Sequence, residues 1–248
     1  VRGLSVAELQ AWTAPKQQYI IENILFPKTK MMLHGRFQTW KSMLALYTGA
    51  TIADGNEWFG IRTSSSTVYN LQIEMPQSQL QKRVNKYLKH NPCTHEDRMW
   101  FCTEHYIKLD KGYGVAELER ELARTKPQLL IIDPLYRVVS GHITDEYDMR
   151  QFMDRMDILI DKYNLALIIV HHDRKYLIQD GVIVDTGADA IFGSSMFIDW
   201  LDASIQTSIT GMDGEVLVSI EKVKYVEEEL KPIRIKIDRN TLTFRKVG

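Results

Sequence analysis

The feature that most constrains the fold is a series of short apolar runs, each ending in a polar residue and separated by stretches of helical spacing. Leu129-Leu130-Ile131-Ile132 ends in Asp133, and Leu165-Ala166-Leu167-Ile168-Ile169-Val170 ends in His171-His172. Unbroken runs of this length read as central parallel strands, buried on both faces. Met31-Met32-Leu33 leads into Gly35, and the alternating Thr67–Ile73 delivers Glu74. Helical spacing falls between these runs, over 41–53 (stopped by Asp54-Gly55), Gln77–Lys89 (opened by Pro76, closed by Asn91-Pro92), Val115–Arg124 and 148–163. Such alternation predicts βαβ units, a parallel sheet and right-handed crossovers. Trp100-Phe101-Cys102 reads as a further short buried strand, and Tyr136–Tyr147 as a loop.

Past residue 203 the period changes. Ala203–Ile209, Glu215–Val223, Ile233–Ile237 and Leu242–Arg245 alternate, with hairpin signals at Met212-Asp213-Gly214 and Arg239-Asn240. An antiparallel extension of the sheet is the simplest placement. Residues 1–29 read as a lead-in, with a short helix near Val6–Trp12, a break at Pro15 and apolar Ile20, Ile21, Ile24 and Leu25. Residues 30–248 read as one α/β domain, as the length of 248 suggests.

Composition excludes several classes. At 44% hydrophobic and 25% charged, the chain reads as an ordinary soluble globular protein. A net charge of −1 excludes a generally basic nucleic-acid binder, though not a local basic stripe. Cys93 and Cys102 lack CxxC spacing, which argues against zinc and for reduced cytoplasmic thiols. No apolar run approaches membrane length and no leader pattern opens the chain, so neither membrane nor secretion is expected. A first residue of Val1 rather than Met is expected of a domain excised from a longer protein.

Residues 30–42 carry the sharpest chemical signal. The run into Gly35, then Arg36-Phe37-Gln38-Thr39-Trp40, then Lys41-Ser42 at a helix start, matches G-x-x-x-x-G-K-[ST] with Trp40 in place of the second glycine. Backbone amides and the helix N-terminus would hold a polyphosphate. Lys41 would reach the terminal phosphates, and Ser42 would be a Mg²⁺ ligand. The bland reading is an ordinary strand–loop–helix with one exposed lysine.

Ligands of open parallel sheets sit at the carboxyl ends of the strands. Gly35–Ser42, Glu74, Asp133 and His171/His172 all fall there. Asp133 would hold Mg²⁺ through water or Ser42, and Glu74 would polarise the attacking water. Taken singly, Asp133 could be a loop cap, Glu74 a helix-start acid and the histidines core groups. Their common order makes coincidence a poor explanation.

At these residues the sequence resembles a known family. Glu74-Met75-Pro76 with Gln79-Leu80 and Arg83 looks like the "LEMP…QL…R" segment of DnaB-type replicative helicases, and Asp133-Pro134-Leu135 matches their Walker B neighbourhood. His171-His172-Asp173-Arg174-Lys175 looks like the His-His-x-x-Lys segment of plasmid RepA-type hexameric helicases and related phage ATPases. Gly193-Ser194-Ser195 with Asp199-Trp200 and Asp202 is similar to their "GS…D…D" stretch. The likeness spans roughly 18–245.

The resemblance implies a RecA-like P-loop NTPase fold, a homo-oligomeric (hexameric) ring and ATP with Mg²⁺ between neighbours. His172 corresponds to the γ-phosphate sensor. Lys222 and Lys224 match a Lys-x-Arg pair supplied by the neighbour, with lysine at the second position in place of the bidentate arginine fork; an exposed strand face is their bland reading. The loops Tyr136–Tyr147 and Arg174–Gly187 match single-stranded DNA contacts, with Arg137, Arg174 and Lys175 as phosphate-binding residues. A primase or loader is a further implied partner. Three readings stand: a replicative helicase ATPase, a RecA-like recombinase or loader that does not unwind, and a degenerate binding module without hydrolysis.

Overall fold

The computed structural model describes residues 3–13, 19–173, 177–179, 182–184, 195–226 and 230–247. After a short helix α1 (Val6–Ala11), strand β1 (Lys30–Gly35) leads into α2 (Lys41–Asp54), and β2 (Val68–Gln72) into α3 (Gln77–His90). Then follow β3 (Met99–Cys102), α4 (Gly112–Thr125), β4 (Leu129–Asp133), the one-turn α5 (Leu135–Val138) and α6 (Glu146–Tyr163). The second half holds β5 (Ala166–His172), a small hairpin β6 (Leu177–Gln179) and β7 (Val182–Val184), α7 (Ser195–Trp200), and β8 (Ala203–Ile209), β9 (Glu215–Val223), β10 (Ile233–Asp238) and β11 (Thr243–Lys246).

Nine of these strands form one sheet in the order β11-β10-β9-β8-β1-β5-β4-β2-β3. From β3 to β8 every pairing is parallel, and β8–β9, β9–β10 and β10–β11 are antiparallel. The alternating patterns thus become a mainly parallel sheet with an antiparallel extension. Sheet residues of opposite parity enter two separate cores. Met32, Leu130, Ile132, Leu167 and Ile169 pack with Met149, Phe152 and Met156 of α6. Met31, Leu33, Leu129, Ile131, Ile168 and Val170 pack with Leu44 and Ile52 of α2. Both faces of the central strands are therefore buried, which is why they read as unbroken apolar runs.

Three expectations need correction. β8 is not the first antiparallel strand: Met31 to Gly35 pair in parallel with Ala203 to Thr207. It is reached from β5 by a long crossover rather than a hairpin, and only such a connection sets strands parallel. Trp100-Phe101-Cys102 is an edge strand, half-buried throughout, because it pairs with β2 alone. The Tyr136–Tyr147 stretch opens within α5 instead of being loop throughout.

The lead-in divides. Ile20, Ile21, Ile24 and Leu25 are buried in the same core as β1, whereas α1, opened by a Ser5/Glu8 capping box, buries none of its residues. Among the described residues no helix is long and apolar enough to cross a membrane.

Candidate active site

β1 lies inside the parallel part of the sheet, so the loop that leaves it opens at the carboxyl edge. Gly35, at its end, has φ +151, and a Cβ there would lie 2.3 Å from the Thr207 hydroxyl and 2.4 Å from the Thr207 carbonyl oxygen. Only glycine lets β1 and β8 approach so closely. The Thr39 hydroxyl donates to the Arg36 carbonyl at 2.8 Å and stands 2.8 Å from the Thr207 hydroxyl, which ties the loop to β8.

Trp40 takes the left-handed conformation, φ 65 and ψ 18, as the N-cap of α2. This is the physical reason a glycine is expected there, since a side chain costs about 1–2 kcal/mol in that region. The indole compensates by packing: it is half-buried against the cores on the α2 side, where Leu242 and Phe244 also lie. The Arg239 guanidinium lies 5.6 Å from its ring centroid. Gln38 has φ 65 as well.

Lys41 is buried, and its ammonium donates to the carbonyls of Gly35 (2.8 Å) and Arg36 (2.5 Å). Burial lowers its pKa to about 8, against the attraction of Asp173, Asp133 and Glu74. Two strands over, Asp133 ends β4 wholly inside the protein. Burial pushes its pKa up to about 6, helped by the nearby Glu74 charge and opposed by Ser42, Gln72 and Arg83. Its Oδ2 accepts from the Gln72 amide at 3.3 Å, and its Oδ1 has no hydrogen-bond partner.

That orphaned oxygen beside the Ser42 hydroxyl is the structural test for a metal. Mg²⁺ needs only one or two protein oxygens and takes the rest from water and phosphates, so the pair fits it. Among the described residues no cluster of three or more acidic, His or Cys side chains could hold a metal by itself.

One cavity of about 890 Å³ collects Gln38 to Ser42, Phe37, Glu74, Arg83 and His172. Its other end is made by Ile209, Met212 and Arg239 from the β8–β9 and β10–β11 turns. Glu74 is exposed to it, and the Tyr136 hydroxyl donates to Glu74 Oε1 at 3.3 Å. His172 is half-buried, its ring 6.5 Å from Phe37 and 6.2 Å from Tyr136 between centroids. Burial and then the Lys41 charge lower its pKa, so the ring is neutral at physiological pH.

Of the residues singled out in the sequence, Phe37 to Ser42, Glu74 and His172 line this cavity. Asp133 adjoins it behind Ser42 and Arg83. Gly35 and Arg36 contribute the carbonyls that hold Lys41. Arg137 is exposed on α5, its guanidinium 5.5 Å from the Tyr136 ring centroid. Arg174 and Lys175 lie outside the described residues.

Lys222 and Lys224 lie elsewhere. Lys222 donates to the Ile198 carbonyl at 3.0 Å and Lys224 to the Asp199 carbonyl at 3.0 Å. The backbone of Lys224 meets Asp202, whose amide in turn meets Lys30 at the start of β1. Gly35 is five residues further, about 16 Å along the strand. Neither lysine serves the phosphate loop of its own chain.

Two contributors carried too little signal in the sequence. Arg83 was visible only as part of the Glu-Met-Pro segment; the structure half-buries it against the site, where desolvation lowers its pKa and Asp133 and Glu74 oppose the shift. Arg239 reaches the cavity from a turn nearly two hundred residues after the loop, a proximity that no local pattern encodes.

A family profile described as "AAA domain" (AAA_25) matches residues 1–176. No curated sequence matches the chain. Among solved structures, one described as an ATPase domain is similar with a TM-score of 0.67 at 10% identity, covering 90% of this chain and 86% of that one. A KaiC-like protein from the hyperthermophilic archaeon Pyrococcus horikoshii OT3 gives 0.60 at 14% identity, over 92% and 94%. The RadB recombinase gives 0.61 at 14% identity, over 90% and 92%. With its phosphate loop at the end of β1 and its strands in this order, the chain has the RecA-like P-loop NTPase fold and belongs to the AAA_25 family of AAA domains.

Proposed function

We propose that the chain is the Mg²⁺-dependent ATPase motor of a hexameric DNA helicase that translocates on single-stranded DNA in replication. The observation that carries this reading is the meeting of Lys41, Ser42, Glu74, Arg83 and His172 in one cavity, with Asp133 directly behind. On ATP binding, Lys41 exchanges the Gly35 and Arg36 carbonyls for phosphate oxygens. Glu74, accessible and braced by Tyr136, orients the attacking water through a carboxylate oxygen. Arg83 and the neutral His172 place hydrogen-bond donors around the transferring group. Ser42 and Asp133 would hold Mg²⁺, which would supply positive charge to neutralise the phosphates.

A shared site explains Lys222 and Lys224. Remote from their own phosphate loop, they serve the next subunit of a ring. The helicase assignment rests on the Glu74-Met75-Pro76 and His171-His172 resemblances, with Arg137, Arg174 and Lys175 as the DNA-facing cations and a primase or loader as a further partner. A second reading, a recombinase or loader without unwinding, is favoured by the likeness to RadB recombinase.

The test is Mg²⁺-dependent ATP hydrolysis at several protein concentrations, with and without single-stranded DNA, followed by strand displacement. Turnover that rises with both variables supports an oligomeric DNA-driven motor. Turnover without displacement selects the recombinase or loader. Bound ATP without turnover selects a degenerate module.

A further inference from the structure

His34, the residue before the phosphate loop's glycine, is completely buried. Both its ring nitrogens are engaged by carboxylates: Nδ1 lies 2.7 Å from Asp173 Oδ1 and Nε2 3.0 Å from Glu221 Oε2. A neutral imidazole donates from one nitrogen only, so donating to both carboxylates requires the doubly protonated ring. Burial by itself would lower the pKa of this ring, but the two carboxylates outweigh it and raise it. The facing titratable groups are His171, His172 and Asp173 from β5 and its end, Glu221 from β9, and Lys41 of α2, which acts through Asp173.

Asp173 is the hinge of this arrangement. Its backbone amide donates to the Gly35 carbonyl at 3.1 Å, the same oxygen that holds Lys41 Nζ. Of the carboxylates that attract Lys41, Asp173 acts most strongly. Yet Asp173 forms its ion pair with His34 rather than with Lys41, because its side chain, 4% exposed, points to the imidazole. A buried carboxylate released there would turn to a cation it already attracts, and Lys41, the cation needed for phosphate, is one.

We propose that His34 is a positioning residue, an imidazolium that pins Asp173 against β1 and Glu221 and thereby leaves Lys41 free to bind the nucleotide's phosphates. This rests on the nucleotide-site reading above, and it assigns work to a residue outside that site. Its chemistry is a competition between two anions, the Asp173 carboxylate and the phosphate, for one ammonium.

The test reads the dissociation constant of a fluorescent ATP analogue, so it does not depend on turnover. His34→Gln is expected to weaken binding about tenfold, a factor in the range of lost supporting contacts, and His34→Gln/Asp173→Asn to restore most of it. Restored affinity at equal folded fraction separates release of Lys41 from a general structural defect. Unchanged binding by His34→Gln, or no recovery in the double variant, overturns the proposal.

If His34→Gln does not fold, Glu221→Gln replaces it, with the ring nitrogens followed by ¹⁵N NMR. The His34 midpoint is expected to fall when one of its two carboxylates is neutralised, with analogue affinity weakening above the new midpoint. A neutral ring at pH 7 in the wild type, an unmoved midpoint, or a lowered midpoint with wild-type affinity overturns it. A wild type that binds the analogue without hydrolysing ATP removes the motor reading alone, whereas one that binds none removes both.

Discussion

The Lys41 ammonium donates to the carbonyl of Gly35 at 2.8 Å, across the loop that lies between them in sequence. The loop is thus closed on its own lysine, and the same atoms form the cradle that a phosphate would enter. Lys41→Ala removes the charge and the brace together. Nucleotide binding and hydrolysis are both expected to disappear, as read by analogue titration and phosphate release. Unchanged turnover would remove the phosphate-loop assignment.

Glu74 behaves differently because it is exposed and its carboxylate accepts from the Tyr136 hydroxyl. Glu74→Gln keeps the shape and the Tyr136 contact but cannot take up a proton. ATP binding is expected to persist while kcat falls by about 10²–10⁴, the usual contribution of a general base. Single-turnover hydrolysis against binding separates the two. A variant with normal kcat would refute the role.

The buried Asp133 should trade stability for function. Its folded pKa of about 6 lies above its ordinary value of 3.8, so the stability linked to its proton is present below the ordinary value and is lost as pH rises through 6. Asp133→Asn relieves the buried charge at pH 7, by up to about 3 kcal/mol for a shift of this size. Tm is expected to rise at pH 7 and to match the wild type below pH 4, while Mg²⁺-dependent hydrolysis is lost. A lower Tm at pH 7 would contradict this account.

Asp133 and Lys41 together should set the pH dependence of kcat/KM. Below about 6 Asp133 holds a proton and binds metal poorly, and above about 8 Lys41 loses the charge that attracts phosphate. A bell with limbs near these values is expected from steady-state rates between pH 5 and 10. A profile that stays flat through either limb would exclude the corresponding group.

Lys224 lies about 16 Å along the sheet from its own phosphate loop, and under the proposed function it serves the next subunit. Lys224→Ala should therefore fail only as a neighbour. Mixed with Glu74→Gln protein, each inactive alone, it is expected to regain part of the turnover, because some interfaces pair an intact Glu74 with an intact Lys224. Mixtures no more active than the separate proteins would argue against a shared site.

Much of this protein is decided locally and is therefore legible in the sequence. Leu129–Asp133 and Leu165–His172 are strands because a segment buried on both faces must be apolar on both. Their terminal polar residues mark the sheet's carboxyl edge because a chain leaving the core must meet water. The spacing from Gly35 to Lys41-Ser42 is set by the backbone geometry of one loop. Tertiary structure decided the rest. That β8 runs parallel to β1 depends on how the crossover returns, which the alternation in Ala203–Ile209 does not record. Trp40 is tolerated where glycine is expected because its ring packs on the same core as Leu242 and Phe244 and meets Arg239, all remote in sequence. The raised pKa of His34 exists only because folding brings Asp173 and Glu221 to its two nitrogens; a periodic pattern reports which face of an element is buried, and which charges meet there is settled only by packing.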